Sequence, residues 1–209
     1  MAGLVVGLVM LSGGGGPPRT LSREEAREEA RRLAPRDEDW GLGFVVAGEA
    51  YDQGEYTVRK DCVIVLNADR PGTLASLDRW AERKEAAMQT YSYVRVFGDA
   101  ATAEGYIDDI EDGIHRCPAL QLDKVRYEDS REWATTGSVP SFDEMVSEEG
   151  RIVTDEEGRK VNEVYADLTG QTGRIVMHTF VTGPAGTEAE LRQIAVRALQ
   201  RMHQRLPES

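Results

Sequence analysis

The residues in this chain best suited to chemistry are its two cysteines, Cys62 and Cys117, and its three histidines, His115, His178 and His203. Cys62 lies in the short apolar run DCVIVLN, whose β-branched content predicts a buried strand. Cys117 closes a helical stretch just before Pro118. Two thiols on two core-facing elements are either a disulfide tying helix to sheet or a pair of reduced core cysteines. The disulfide would close a loop of about 56 residues, and chain entropy allows it up to ~4 kcal/mol. His115 and Cys117 have the spacing of a partial metal site, but two further ligands are not evident. His178 falls in mid-strand and His203 on the last helix, where both read as packed or surface residues rather than bases. The run Asp108, Asp109, Glu111, Asp112 lacks the glycine and alternate oxygen spacing of a calcium loop, as do Asp155, Glu156 and Glu157. Neither a phosphate-cradling glycine loop, a nucleophile elbow nor a paired CxxC occurs. The residues themselves therefore name no catalytic group, no metal and no cofactor.

The elements that must position Cys117 begin at Tyr91. From Tyr91 to Phe97 the aromatics Tyr91, Tyr93 and Phe97 alternate with Val94 and Val96, the pattern of a central strand covered on both faces. Asp99 is placed to cap a helix whose stripe is Ala103, Tyr106, Ile107, Ile110, Ile114 and Cys117, with the acids outside. Upstream, Ser22 and Glu25 form a capping box for a surface helix through Leu33 with the stripe Ala26, Ala30, Leu33, and Trp40 reads as a core plug. Strands are expected at 44–47 and 56–66 around a turn at 51–54; over 73–88 Leu77, Trp80 and Ala81 favour a helix, while Leu77, Arg79 and Ala81 also fit an edge strand. A strand over 120–127 and a polar loop over 128–140 follow. Hairpins are expected next, one turning at Glu148-Glu149-Gly150 and one at Thr169 to Thr172. A final helix opens on a Thr187–Glu190 capping box and carries the stripe Leu191, Ile194, Ala195, Ala198, Met202, Leu206. It is expected to pack on the same sheet as the helix ending at Cys117.

The 209 residues suffice for one well-buried domain. A formal net charge of −12 argues against nucleic acid or an anionic membrane surface as partner. Residues Gly3 to Leu11 form an apolar run too short to span a membrane but of the size of a secretory leader core, and GGGGPP from Gly13 to Pro18 is a linker. Residues 1–19 are thus read as leader and linker and 20–209 as one α+β domain. Leu11-Ser12-Gly13 matches the start of a bacterial lipoprotein box, with Gly14 where the lipid-bearing cysteine would stand.

Taken together, the lipobox-like leader, DCVIVLN, FGDAATAEGYIDDIEDGIHRCP, RIVMHTFVT and the amphipathic last helix resemble the actinobacterial extracellular sensor domain. That family occurs outside the membrane in a mycobacterial receptor serine/threonine kinase and in secreted lipoproteins. The resemblance implies a twisted antiparallel β-sheet with two or three helices packed on one face, a cleft for an unknown ligand, and disulfides. By position, Cys62 and Cys117 match one family disulfide, while the second pair of the kinase sensor has no counterpart here. The expected function is an exported, monomeric, non-enzymatic domain binding a small ligand or a cell-envelope partner. The alternatives are an enzyme with an acid-rimmed cleft, or a structural or interaction protein.

Overall fold

The computed structural model describes residues 21–133, 142–156 and 159–207, so the leader-like segment, the glycine linker and the latter half of the 128–140 loop lie outside the described residues. In chain order the elements are α1 (Arg23–Leu33), α2 (Asp37–Trp40), β1 (Val45–Tyr51), β2 (Glu55–Val58), β3 (Ile64–Asn67), β4 (Thr73–Arg83), β5 (Met88–Phe97) and α3 (Ala100–Arg116). Then come β6 (Leu120–Leu122), β7 (Val125–Arg131), β8 (Glu144–Glu156), β9 (Arg159–Thr172), β10 (Ile175–Pro184) and α4 (Glu188–His203). Eight strands form one antiparallel sheet in the order β1-β4-β5-β10-β9-β8-β7-β6, and β2 and β3 pair separately as a hairpin. The fold is α+β, as the sequence indicates.

Alternation divides the sheet into two unlike faces. Leu77, Ala81, Val94, Val96, Leu168, Met177 and Val181 build an aliphatic face covered by α1, α2 and α4. The Ala26–Ala30–Leu33 stripe and Trp40 are buried there as expected. Arg205 binds these helices together: it donates to the Leu33 and Ala34 carbonyls that end α1, and to Asp39 of α2. The other face carries Tyr93, Phe97, Val146 and Val176, and α3 packs on it. The helix ending at Cys117 and the last helix therefore lie against the same sheet from opposite sides.

Asp99 caps α3 by accepting from the Thr102 amide at 2.8 Å, and Ser22 and Glu25 form their capping box. At the last helix no box forms, because the Thr187 hydroxyl instead donates to the Pro184 carbonyl at 2.7 Å.

Several segments differ from the sequence expectation for identifiable reasons. Of residues 73–88, Thr73–Arg83 form the strand alternative rather than the favoured helix, followed by a single 3-10 turn at Lys84–Ala86: Ala75 and Leu77 enter the aliphatic core while Ser76 and Asp78 are equally buried on the other face, which erases the polar-out alternation. Glu148-Glu149-Gly150 is the interior of β8, not a turn. A Cβ at Gly150 would come within 2.8 Å of its cross-strand neighbour Tyr165, so this glycine makes room for a ring. Thr169 to Thr172 likewise stays in β9, and the chain turns at Gly173, which has φ +55°. The single strands expected at 56–66 and 120–127 are both hairpins, and β7 runs on to Arg131 where a loop is expected. Cys62 therefore sits in the β2–β3 turn, in a left-handed conformation with φ 61°, rather than in a core strand.

The disulfide forms, with Cα atoms 5.6 Å apart across 55 positions of sequence. It joins the C-cap of α3 to the tip of the β2–β3 hairpin, not to the main sheet. Next to it the Gln121 amide donates to the Cys62 carbonyl at 3.0 Å, beside a parallel bridge of Val63 to Gln121. An isolated hairpin is marginal in water, so these links hold it over the sheet. Replacing both cysteines by serine is expected to cost about 2–4 kcal/mol of unfolding free energy. Chemical denaturation of the variant beside the oxidised parent measures it, and equal stabilities would show that the bond constrains nothing.

Candidate functional site

The second face of the sheet is only partly covered by α3. Beside it lies a cleft of about 680 Å³, floored by the central strands and roofed by α3, the β2–β3 hairpin and β6. Register fixes the floor. One cross-strand row runs Trp80, Tyr91, Phe180, Asp167, Glu148 from β4 to β8. The next runs Asp78, Tyr93, His178, Thr169, Val146 through the same strands. Neighbouring side chains on one face of a sheet stand within contact range. The rings accordingly interlock: Trp80 meets Tyr91 at 5.9 Å between centroids, Tyr165 stacks on Phe180 at 5.4 Å, and His178 lies flat on Tyr93 at 4.2 Å.

Polar groups are set between the rings. The Tyr91 hydroxyl donates to Asp78, which is 1% exposed, and the Tyr165 hydroxyl donates to Glu148, which is 9% exposed. His178 Nε2 lies 2.9 Å from Asp167 Oδ1. Burial raises Asp78 above the usual carboxylate range, and the Tyr91 hydrogen bond only partly offsets it. Burial raises Glu148 too, with the neighbouring Asp167 charge adding to it. Tyr91 and Tyr165 are pushed upward by burial and by the carboxylates they face. Tyr127, at the far end, is pushed up to about 12 by burial and by the Asp167 charge.

Arg95, 1% exposed, is a buried cation of this face, and each of its nitrogens makes a hydrogen bond within the protein. Nε donates to the Tyr106 hydroxyl at 3.2 Å, one terminal nitrogen to Asp69 at 2.7 Å and the other to the Gly54 carbonyl at 3.0 Å. Tyr106 in turn donates to Tyr93 at 2.9 Å. Arg70 sits over the Tyr106 ring and pairs with Glu55 at 3.2 Å and Asp109 at 2.9 Å. These arginines tie roof to floor.

Of the sequence-level candidates, Cys62 and Cys117 meet in the disulfide that pins the roof, so Cys117 offers no thiolate to a metal beside His115. His115 instead contacts Glu132 at 2.7 Å on the exposed surface, with Glu111 near. The acids of α3 are exposed, as expected for a solvated helix face. His203 packs edge-on against Phe142. His178, which reads in the sequence as an ordinary residue, is in the middle of the cleft floor. Asp78, Arg95, Glu148, Tyr165 and Asp167 also line the cleft, and none of them stands out in the sequence. The signal that could have found them is polar residues recurring within strands otherwise apolar on both faces: Arg95 among Tyr93 and Phe97, His178 between Val176 and Phe180.

Fold and site together define an antiparallel α+β domain whose sheet is left open on one side under a disulfide-pinned hairpin. The same fold is found in the crystal structure of the extracellular domain of PknH from Mycobacterium tuberculosis, with a TM-score of 0.56 over 89% of this chain and 98% of that one, at 11% sequence identity. Likeness at that identity is likeness of fold. No protein-family model and no curated protein sequence matches the chain. Among the described residues no helix is long and apolar enough to cross a membrane.

The raised carboxyl of Glu148 gives a pH signature. A group bound to its proton more tightly in the folded state contributes stability that is full below its unfolded value of about 4.3 and is lost as pH rises through the folded one. Glu148→Gln, whose amide oxygen still accepts from Tyr165, is expected to be more stable than the parent at neutral pH, with the gain vanishing below about pH 4. Thermal unfolding across pH tests it; a pH-independent difference would mean that Glu148 titrates normally.

Proposed function

We propose that this chain is an exported, non-enzymatic sensor-like domain that binds a small amphipathic ligand in the cleft between sheet and hairpin. The carrying observation is the cleft itself: its volume is that of a small-molecule site, and it has an aromatic lining with a few fixed polar groups. The disulfide supports an oxidising, extracytoplasmic location, and the PknH extracellular domain supports it by fold. The described lining holds no lysine, cysteine or serine, the commonest nucleophiles of covalent catalysis.

A second reading is general acid–base catalysis, favoured by the Asp167–His178 contact beside the raised Glu148 carboxyl. The two readings part at the fate of the ligand. Fragments screened by amide and indole NMR are expected to shift the Trp80 indole resonance and to be recovered chemically unchanged. Tyr91→Ala is expected to weaken their binding by about tenfold, on the order of 1 kcal/mol for a lost aromatic contact. Fragments that bind elsewhere would refute the cleft, and altered fragments would favour the enzyme.

A further inference from the structure

The floor of the cleft holds hydrogen-bond acceptors without donors. Asp167 and Glu148 stand directly opposite each other on β9 and β8, an arrangement that is unfavourable for two carboxylates. Glu148 receives the Tyr165 and Ser130 hydroxyls and Asp167 receives His178, and neither has a lysine or arginine partner among the described residues. In the adjacent row Asp78 Oδ2 and His178 Nδ1 are buried without any hydrogen-bond partner among the described residues. His178 Nε2 faces Asp167, which leaves Nδ1 as the ring nitrogen without a partner. Both side chains are more than nine-tenths buried, and both line the cleft.

The three arginines of the lining are engaged within the protein: Arg95 donates from each of its nitrogens, to Asp69, Gly54 and Tyr106, Arg70 is held by Glu55 and Asp109, and Arg116 of the roof reaches the Asp112 and Val58 carbonyls at 3.4 and 3.3 Å. An anionic ligand would find no free guanidinium among the described residues of the floor and would face Asp78, Asp167 and Glu148. A positively charged ligand would find carboxylates and the faces of Tyr91, Tyr165 and Phe180, rings that attract cations. A bare metal ion fits less well: the metal-ligand atoms of Asp167, Glu148 and His178 do not converge, and the one set of three that does among the described residues is the exposed Glu111–His115–Glu132 group elsewhere.

We propose that the cleft is built for a protonated amine, an N–H-bearing organic cation seated at the Asp167–Glu148 pair with its apolar body against Tyr91, Tyr165 and Phe180. This deepens the ligand-binding reading above and rests on it. The N–H donors supply what the floor lacks, and the positive charge offsets two carboxylates that stand facing each other.

The test uses four probes on the full chain: phenethylamine, its neutral isostere 2-phenylethanol, the anion 3-phenylpropionate, and zinc chloride. Binding is read from NMR shifts at Trp80 and the amides of β9 and β10. Phenethylamine is expected to bind about tenfold or more tightly than the alcohol, the discrimination one charge-assisted hydrogen bond supplies. Asp167→Asn and Glu148→Gln, each checked for parental thermal stability at acid pH, are expected to abolish that preference while the alcohol still binds. Equal or tighter binding of the alcohol or the propionate in the cleft overturns the amine assignment and leaves the ligand-binding reading standing. Zinc shifting the same resonances in place of the amine also overturns it, in favour of an inorganic cation. Failure of every probe to shift the cleft counts against both readings at once.

Discussion

The antiparallel pairing of β5 with β10 is the constraint on which the rest of this molecule depends. It joins strands from the two halves of the chain in unbroken register, from Ile175 opposite Val96 to Thr182 opposite Gln89. Because side chains alternate, that register puts Val94, Val96, Met177 and Val181 on one face and Tyr91, Tyr93, His178 and Phe180 on the other. A slip of one residue would turn over the side chains of the slipped strand, sending Arg95 of β5 or His178 of β10 into the aliphatic layer. Register thus decides both which side is closed by helices and which side is left partly open. The aliphatic face seats three helices, and the aromatic face is given one helix and a hairpin.

Arg95 determines what happens on that second face. Desolvating a guanidinium costs several kcal/mol unless it is hydrogen-bonded, and here each of its three nitrogens donates to a different part of the chain. Asp69 comes from the segment after β3, Gly54 from the turn before β2, and Tyr106 from α3. The buried charge therefore specifies where the roof sits. Its role is more geometric than stabilising, since a well-packed apolar replacement of a buried pair is often neutral. That gives the floor a rigid centre with its cation already committed, which is why the remaining acceptors define the chemistry of the cleft.

How much was legible in the sequence follows from which signals are local. The strand at Tyr91 to Phe97, the cap at Asp99, the stripe of α3 and the buried Trp40 each rest on period or on residue type, and the structure has them. The turns failed where glycine served packing: Gly150 is in mid-strand because the Tyr165 ring lies against it, and Gly170 because Phe142 does. The helix expected over 73–88 failed because β4 is buried on both faces, so that Ser76 and Asp78 resemble the polar side of a helix. The cysteine pairing was open from the residues and favoured by the family resemblance, but the place of Cys62 in a turn depended on hairpin geometry that DCVIVLN does not display. The cleft was invisible for a deeper reason. Its floor joins residues from β4, β5, β10, β9 and β8, and only the strand order brings them together.

Floor and roof differ in how firmly they are held, and this bears on binding. The floor lies in the middle of an eight-stranded sheet with helices on both sides. The roof hairpin is outside that sheet, with Tyr56 and Leu66 about half exposed, and is attached through the disulfide, the Val63–Gln121 bridge and the arginine contacts. Local opening is drawn from elements with few buried contacts, so the hairpin is the part of the cleft that yields first. In the proposed binding mode a ligand on the rigid floor would close a roof that costs little to move, and the disulfide limits how far the hairpin can open. The bond at Cys62 and Cys117, remote from any chemistry of its own, in this way sets the reach of the one part of the site that can adapt.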